Sequence, residues 1–163
     1  MAGLDALLRM GRFTHGELLD GIERFRGHRG VVQLRDLAPR ADARAESPGE
    51  SVLRLRWTDL ATLPQPEPQV GIRLPNGREV YRIDLGVRDL RFGVEYDGQE
   101  HHTSPKDVEH DRARRNDLAQ RFDWQVIPVT KANVFGPHRD IERTLHEGIR
   151  EARRRQGGFR LGA

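Results

Sequence analysis

The sequence contains no cysteine among its 163 residues. This absence excludes a disulfide scaffold and any thiolate metal centre, so a metal site would have to use oxygen or imidazole ligands. Long apolar runs are also missing, because no stretch approaches the roughly 18 to 20 residues that a membrane helix needs. The start, MAGLDALLRMGRF, lacks the apolar segment of a signal peptide. We therefore expect a cytoplasmic protein that does not contact a membrane.

Lysine is scarce, with Lys106 and Lys131 as the two examples, so arginine supplies nearly all of the positive charge. Lysine and arginine together number 28, against 25 aspartates and glutamates. A formal net charge of +3 is enough to bring the isoelectric point to about 9.9, because arginine titrates far above neutrality. Nucleic-acid binding must therefore be argued from the positions of the charges.

The spacing of apolar residues divides the chain into an extension and one main domain. Leucines at helical spacing predict short helices over residues 3–12, 14–26 and 31–37, which form a helical N-terminal extension at 1–44. Residues 45–156 predict a single α/β domain, and residues 157–163 a tail. A chain of this length can bury the core of one domain without cross-links.

The main domain opens with Ser47-Pro48-Gly49-Glu50, which predicts a helix start with a serine N-cap, a proline in the first turn and a capping-box glutamate. A polar helix between the last two strands predicts that these strands run parallel. The order of elements predicts a mixed sheet flanked by helices. The expected strands cover residues 69–74, 79–85, 91–97 and 124–129, and the expected helices cover residues 47–60, 105–122 and 138–155, the last ended by Gly157-Gly158.

Acidic residues are concentrated at one point of this predicted sheet. Asp84 ends one strand and Glu95 lies in the next, so the turn between them can bring the two carboxylates side by side; Asp97 shares the face of Glu95. Converging carboxylates repel one another unless a cation lies between them, and oxygen ligands suit Mg²⁺ or Mn²⁺. The alternative is that Asp84 caps a turn, Glu95 faces solvent and Asp97 ends a strand.

Four segments together resemble a family. They are RIDL (82–85), VEYDGQEHH (94–102), DRARRNDL (111–118) and WQVI (124–127). In this order they are similar to a large group of bacterial proteins related to very short patch repair (Vsr-like) endonucleases. The resemblance covers residues 45–155 and implies a restriction-endonuclease-like fold of the PD-(D/E)XK type, Mg²⁺ or Mn²⁺ as cofactor, and double-stranded DNA as partner.

Within this resemblance, Asp84 and Glu95 match the two acidic residues of the PD-(D/E)XK signature. Asp97 stands where the signature has lysine, and this departure puts catalysis in doubt. Vsr-like enzymes also lack that lysine and use histidines after the strand, so the resemblance implies that His101 or, preferably, His102 carries the proton. The alternative for both histidines is a solvated loop.

Glu50 has two interpretations that do not exclude each other. It is similar to the helix-borne glutamate that many members of the fold add to the metal shell. As the last residue of Ser47-x-x-Glu50 it also completes a capping box, which stabilises a helix by roughly 0.5 to 2 kcal/mol.

Basic and aromatic residues give weaker signals. A helix-surface ion pair between Asp111 and Arg115 explains these two residues equally well, and Trp57 and Trp124 are predicted to be core residues. Candidate nucleic-acid contacts are Arg112, Arg114, Arg115, Asn116, Arg153 and Arg154.

We therefore expect a metal-dependent DNA endonuclease with Asp84, Glu95 and Asp97 as metal ligands, Glu50 as an outer ligand and His102 as proton carrier. The alternative is a DNA-binding or regulatory module that keeps the fold without the chemistry, a type that often follows a winged helix. No winged-helix pattern precedes residue 45, which leaves open whether the chain is a short form or a piece of a longer protein. A protein-interaction domain is a third option that leaves the carboxylates unexplained.

Overall fold

The computed structural model describes residues 1–98 and 105–159. Its centre is a mixed four-stranded sheet in the order β1-β2-β3-β4. The first three strands are antiparallel neighbours, and β3 and β4 run parallel. The predicted α/β architecture, with a mixed sheet and a parallel final pair, is confirmed. The strands are β1 (Glu67–Arg73), β2 (Glu79–Val87), β3 (Phe92–Asp97) and β4 (Gln125–Thr130).

Helices precede, flank and follow the sheet. They are α1 (Ala2–Arg9), α2 (His15–Gly21), α3 (Val31–Leu37), α4 (Pro48–Thr58), α5 (Pro105–Phe122), α6 (Lys131–Phe135) and α7 (Ile141–Phe159). Short 3-10 turns lie at Ile22–Phe25, Ala38–Arg40 and Arg88–Leu90. Within the described ranges, no helix has the length and apolar character needed to cross a membrane.

Two helix boundaries differ from the prediction. The second helix of the extension ends at Gly21 and passes into a 3-10 turn, instead of continuing to residue 26. Helix α7 begins at Ile141 and continues through Gly157 and Gly158, so the predicted end at this glycine pair is wrong. A glycine inside a helix costs only about 1 kcal/mol relative to alanine, which the packing of a long amphipathic helix can offset.

Helix α6 was not predicted. It is a single short helix between β4 and α7, and it begins with a capping box between Thr130 and Asn133. The backbone N–H of Thr130 donates to the Asn133 side chain at 2.7 Å. The asparagine at the third helical position takes the place of the usual Glu or Gln, which explains why the pattern was missed.

The larger core lies on the face of the sheet that carries α4 and α7. Leu53 and Trp57 of α4 pack with Phe92 and Val94 of β3 and with buried residues of α7. Close approach requires glycine here, because a Cβ at Gly148 of α7 would overlap the ring of Phe92. The prediction that Trp57 is a core residue is confirmed by its complete burial.

The smaller core lies on the opposite face, under α5. Leu118 of α5 packs with Ile83 of β2 and with Trp124, which is buried as predicted. The backbone N–H of Trp124 donates to the backbone carbonyl of Leu118 at 2.9 Å, and this bond lies in the turn from α5 into β4. The sheet is thus covered on both faces, and α5 is the element that passes from the end of β3 back to the start of β4.

The N-terminal extension is joined to the main domain by a buried ion pair. Arg54 of α4 donates to both carboxylate oxygens of Asp5 of α1 at 2.9 Å, and their side chains are 7% and 1% exposed. Asp5 also accepts the N–H of Asp42, and Arg54 donates to the carbonyl of Arg40. These contacts fix α1 against α4 and therefore hold the helix that carries Glu50.

Candidate functional site

Asp84 lies at the point where the ladder between β2 and β3 ends. The last pair of that ladder is Leu85 with Val94. Beyond this pair, the backbone N–H of Tyr96 on β3 donates to Oδ2 of Asp84 at 2.8 Å. A side-chain carboxylate therefore replaces a backbone carbonyl as the hydrogen-bond partner. The Asp84 carboxylate is therefore held between the two strands where they separate.

The pleat of the sheet is broken at the same place. Ile83 packs in the smaller core and Leu85 in the larger one, although residues two apart on a regular strand share a face. On β1 the pairs on either side are Val70 with Ile83 and Pro68 with Leu85, and Gln69 between them has a φ of 55°. The ladder between β1 and β2 keeps one register through this irregularity, so no residue is inserted, and Asp84 lies outside both apolar clusters.

Glu95 lies on β3 beside Asp84 and is bound by an arginine of α5. Nη1 of Arg114 donates to Oε2 of Glu95 at 2.6 Å, and the two side chains are 25% and 18% exposed. Nη2 of Arg114 donates to the carbonyl of Arg82 on β2 at 3.0 Å. The guanidinium therefore bridges the two strands that carry the acidic pair.

The carboxylate of Asp84 is held in an unfavourable electrostatic environment. Its pKa is raised to about 6, chiefly because the carboxyl is buried, and the negative charges of Glu50 and Glu95 contribute to that rise. The hydrogen bond from Tyr96 and the charge of Arg114 act in the opposite direction without cancelling the effect. The site therefore has more negative charge than its own cations neutralise.

An open cleft of about 470 Å³ is formed around these residues. Its acidic residues include the three predicted metal ligands, and its arginines come from β2 and α5. The lining residues are Arg82, Asp84, Glu95, Tyr96, Asp97, Gly98, Asp111, Arg114, Arg115 and Pro128. The structure thus brings Asp84, Glu95 and Asp97 to one cleft, together with Arg114 and Arg115.

Glu50 lies behind the cleft, buried at the start of α4. Ser47 accepts the N–H of Glu50 at 3.1 Å, as an N-cap should. The Glu50 carboxylate, however, accepts the N–H of Glu46 and the side-chain amide of Gln69, at 2.9 and 2.7 Å. The predicted reciprocal capping box is therefore wrong in its second half. Glu50 instead connects α4 to β1 beside Asp84.

The donor atoms of this cleft suit a divalent metal, but their side chains are not already arranged as a metal site. Carboxylate oxygens in a partly exposed cleft suit Mg²⁺ or Mn²⁺, and the excess negative charge at Asp84 would be relieved by a cation. Among residues 1–98 and 105–159, no three His, Asp or Glu side chains converge as a ready-made metal site. The Glu95 oxygen is bound to Arg114 and the Glu50 oxygen to Gln69.

Other predicted residues lie away from the cleft or outside the described ranges. Arg112 and Asn116 are exposed on α5. The ion pair of Asp111 with Arg115 does not form among the described residues. His101 and His102 lie outside the described residues, so the predicted proton carrier stays a prediction.

The predicted arginines of α7 line a second pocket of about 540 Å³. Arg153 and Arg154 form it with Arg150, His146 and the segment after α4. These arginines are separate from the carboxylates, on the side of the sheet covered by α7.

Sequence reasoning missed three residues that shape the site. Arg82 lines the cleft, Tyr81 supports Arg114 and Gln69 binds Glu50. Tyr81 and Arg82 directly precede Ile83 and Asp84 on β2, and that nearness was the available signal. For Gln69 there was none, because its role depends on an unusual φ at a non-glycine residue.

Comparison with known proteins identifies two relatives, whose names state no function. No family model matches the chain, and no solved structure matches it. It is 38% identical over 134 residues, 82% of its length, to "Uncharacterized protein Rv2248" and to "Uncharacterized protein MT2308", from two strains of Mycobacterium tuberculosis. The chain spans about half the length of these curated relatives, 48% of each.

Proposed function

We propose that the protein is a metal-dependent DNA endonuclease of the Vsr-like, restriction-endonuclease-like type, with its active site in the cleft between β2, β3 and α5. The observation that carries this proposal is the position of Asp84. A carboxylate is removed from both packed layers and held next to Glu95 at the end of a strand ladder. A carboxylate held where its ionised form is disfavoured is costly to the fold, and a bound cation would relieve that cost.

Asp84 and Glu95 would hold Mg²⁺ or Mn²⁺, with Asp97 on the same cleft wall and Glu50 as an outer residue. A metal bound there would polarise a phosphodiester and lower the pKa of a water molecule. The protein's own residues bind and orient the substrate: Arg115 and Arg82 line the cleft as phosphate ligands. His102 is proposed as proton carrier.

The arginines of α7 and the exposed polar residues of α5 are proposed as further DNA contacts. Arg153 and Arg154 would meet backbone phosphates, as would Arg112 and Asn116, and phosphate contacts fix the position of a protein on the duplex without reading its sequence. We propose double-stranded DNA as the partner and the cytoplasm as the location.

The test is the Asp84→Ala variant, measured by titration of Mn²⁺ in a calorimeter and by cleavage of supercoiled and mismatched DNA. We expect wild-type protein to bind Mn²⁺ and nick DNA, and the variant to lose both while it keeps its fold. A loss of about 10³-fold or more in cleavage is expected for a residue that acts in the transition state. Undiminished metal-dependent cleavage by the variant would rule out this site.

A second candidate function is a DNA-binding module without cleavage. Two observations favour it: Asp97 stands in the lysine position of the signature, and the Glu95 carboxylate is already bound to Arg114. In that case wild-type protein would bind DNA with the same affinity in Mg²⁺ and in a chelator, and no nicked product would form.

A further inference from the structure

Arg114 is the cation most closely integrated into the carboxylate cluster. Strand β3 contains no lysine, and its last residue is Asp97. Arg82 is turned to Glu46, which it contacts at 2.8 Å. Arg114 contacts one of the acidic pair directly and lies close enough to Asp84 to lower the pKa of that carboxyl.

The guanidinium of Arg114 is held by three different groups. It donates to Glu95 and to the carbonyl of Arg82, and its Cζ lies 5.5 Å from the centre of the Tyr81 ring. The Tyr81 hydroxyl in turn donates to Asp117, one turn further along α5, at 2.9 Å. Arginine stays charged at any physiological pH, so this is a permanent cation in a defined place.

The guanidinium of Arg114 occupies a carboxylate oxygen of Glu95 that a metal would also need. The hydrogen bond to Glu95 raises the pKa of Arg114, and the charges of Glu95 and Asp84 add to the effect. A divalent cation attracted to Asp84 and Glu95 would meet a positive charge already bound to Glu95. Like charges a few ångströms apart in a half-buried cleft repel more strongly than they would in bulk water.

We propose that Arg114 is the internal counter-ion of the cluster and competes with the divalent metal for Glu95. Loading of the site then requires the guanidinium to leave Glu95, after which it faces the open cleft and is available to a substrate phosphate. The inference rests on the proposed metal site, and it makes Arg114 a positioning residue that keeps Glu95 occupied until the metal arrives.

A purely structural role predicts the opposite behaviour. If Arg114 served only to clamp α5 to the sheet, its removal would loosen Glu95 and weaken or leave unchanged any metal binding. The sign of the change in metal affinity therefore separates competition from clamping, and it does so without an activity measurement.

The experiment is calorimetric titration of Mn²⁺ alone into wild type, Arg114→Met and Arg114→Lys, each first shown to melt cooperatively. We expect Arg114→Met to bind Mn²⁺ at least tenfold more tightly than wild type, because the competing charge is gone while an unbranched apolar stem is kept. Arg114→Lys should fall between the two, since an ammonium cannot bond Glu95 and the Arg82 carbonyl in the same planar geometry.

The matched control is Arg121→Met. Arg121 lies on the same helix and stacks on Phe122, with its Cζ 5.3 Å from that ring, but it lines a different pocket. Its Mn²⁺ affinity should equal that of wild type, which separates local competition from a change in overall charge.

The possible results distinguish this inference from the proposed function. If wild type binds Mn²⁺ and Arg114→Met binds it equally or more weakly, competition is wrong and the metal site stands. If Arg114→Met binds Mn²⁺ and wild type does not, competition is supported in its strongest form. If neither binds, both ideas fail. Should Arg114→Met not fold, an Arg114→Lys affinity no higher than that of wild type overturns the inference.

Discussion

Two arginine–carboxylate pairs of this molecule differ in how deeply they are buried and in the charges that surround them. At the junction of α1 and α4, Arg54 and Asp5 are almost fully buried, and backbone groups add hydrogen bonds to both, although Nε of Arg54 is buried without a partner. In the cleft, Arg114 and Glu95 are half-buried beside Asp84, a second carboxylate that forms no ion pair among the residues that the structure describes. An arginine–carboxylate pair thus neutralises the first site, whereas a pair of the same type leaves the second site with excess negative charge.

The difference shows how to separate a structural pair from a functional one. A buried pair whose charges balance has no excess charge to attract an ion, and breaking it leaves an uncompensated charge. A pair that shares its surroundings with another acid can exchange a partner for a cation. Burial alone would rank the junction first as an unusual site, whereas charge balance selects the cleft.

The largest effect is expected when the junction is broken. Asp5→Ala leaves the Arg54 guanidinium buried without a counter-charge, so the free energy of unfolding should fall by roughly 3 to 5 kcal/mol. Urea denaturation measures it. The control is Arg35→Ala, which breaks the exposed pair of Arg35 with Glu23 in the same extension and should cost less than about 1 kcal/mol. Equal losses in both variants would contradict the contrast drawn between the pairs.

A stabilising effect of intermediate size is expected in the cleft. The Asp84→Asn variant keeps an acceptor for the Tyr96 N–H and removes a charge that the fold disfavours. Because the folded pKa of Asp84 is raised to about 6 from its ordinary 3.8, wild type is penalised only once the carboxyl ionises. The variant should match wild type below pH 3.8, gain as pH rises toward 6, and exceed it by about 3 kcal/mol at pH 7.

Urea denaturation at several pH values measures this gain. Asp89→Asn, on the exposed turn between β2 and β3, is the control for the substitution itself. A difference between Asp84→Asn and wild type that stays constant from pH 4 to pH 7 would show that ionisation of Asp84 does not oppose folding.

The smallest effect concerns Arg150 and Arg153 of α7, which form no ion pair within the described part of the chain. Exchanging Arg150 and Arg153 for glutamine should reduce the slope of log affinity for DNA against log salt by about 2, if each meets one phosphate. Arg143→Gln is the control on the same helix, because Arg143 is paired with Asp140 and Glu147. If the control slope falls as much as that of the double variant, DNA binding depends on general charge and not on Arg150 and Arg153.

Much of the sheet could be predicted because its signals are local. Alternation defined the strands, and Asn76-Gly77 defined the first hairpin, where Gly77 has a φ of 84°. The nearness of Asp84 and Glu95 followed from the short turn between their strands. These features depend on residues that are close in sequence, so periodicity and turn chemistry were sufficient.

The electrostatic structure of the site could not be predicted in the same way. The pair of Arg114 with Glu95 requires α5 to cross the sheet at one particular rotation, and the pair of Asp5 with Arg54 joins residues 49 positions apart. Helical periodicity shows which face of a helix is apolar but not which charged group it will meet. The break in the pleat at Gln69 and Asp84 contradicts the alternation rule on which the strand prediction relied.

The buried contact between α1 and α4 changes how the parts of this chain should be counted. Composition suggests a boundary near residue 45, but the charge on Arg54 can be neutralised only by a residue that precedes that boundary. We therefore expect the helical extension and the sheet to unfold as one cooperative unit, because α4, which bears Glu50, packs with both. Insertion or recombination at residue 45 would divide a folding unit, whereas the exposed turn at Asn76 offers a tolerant site.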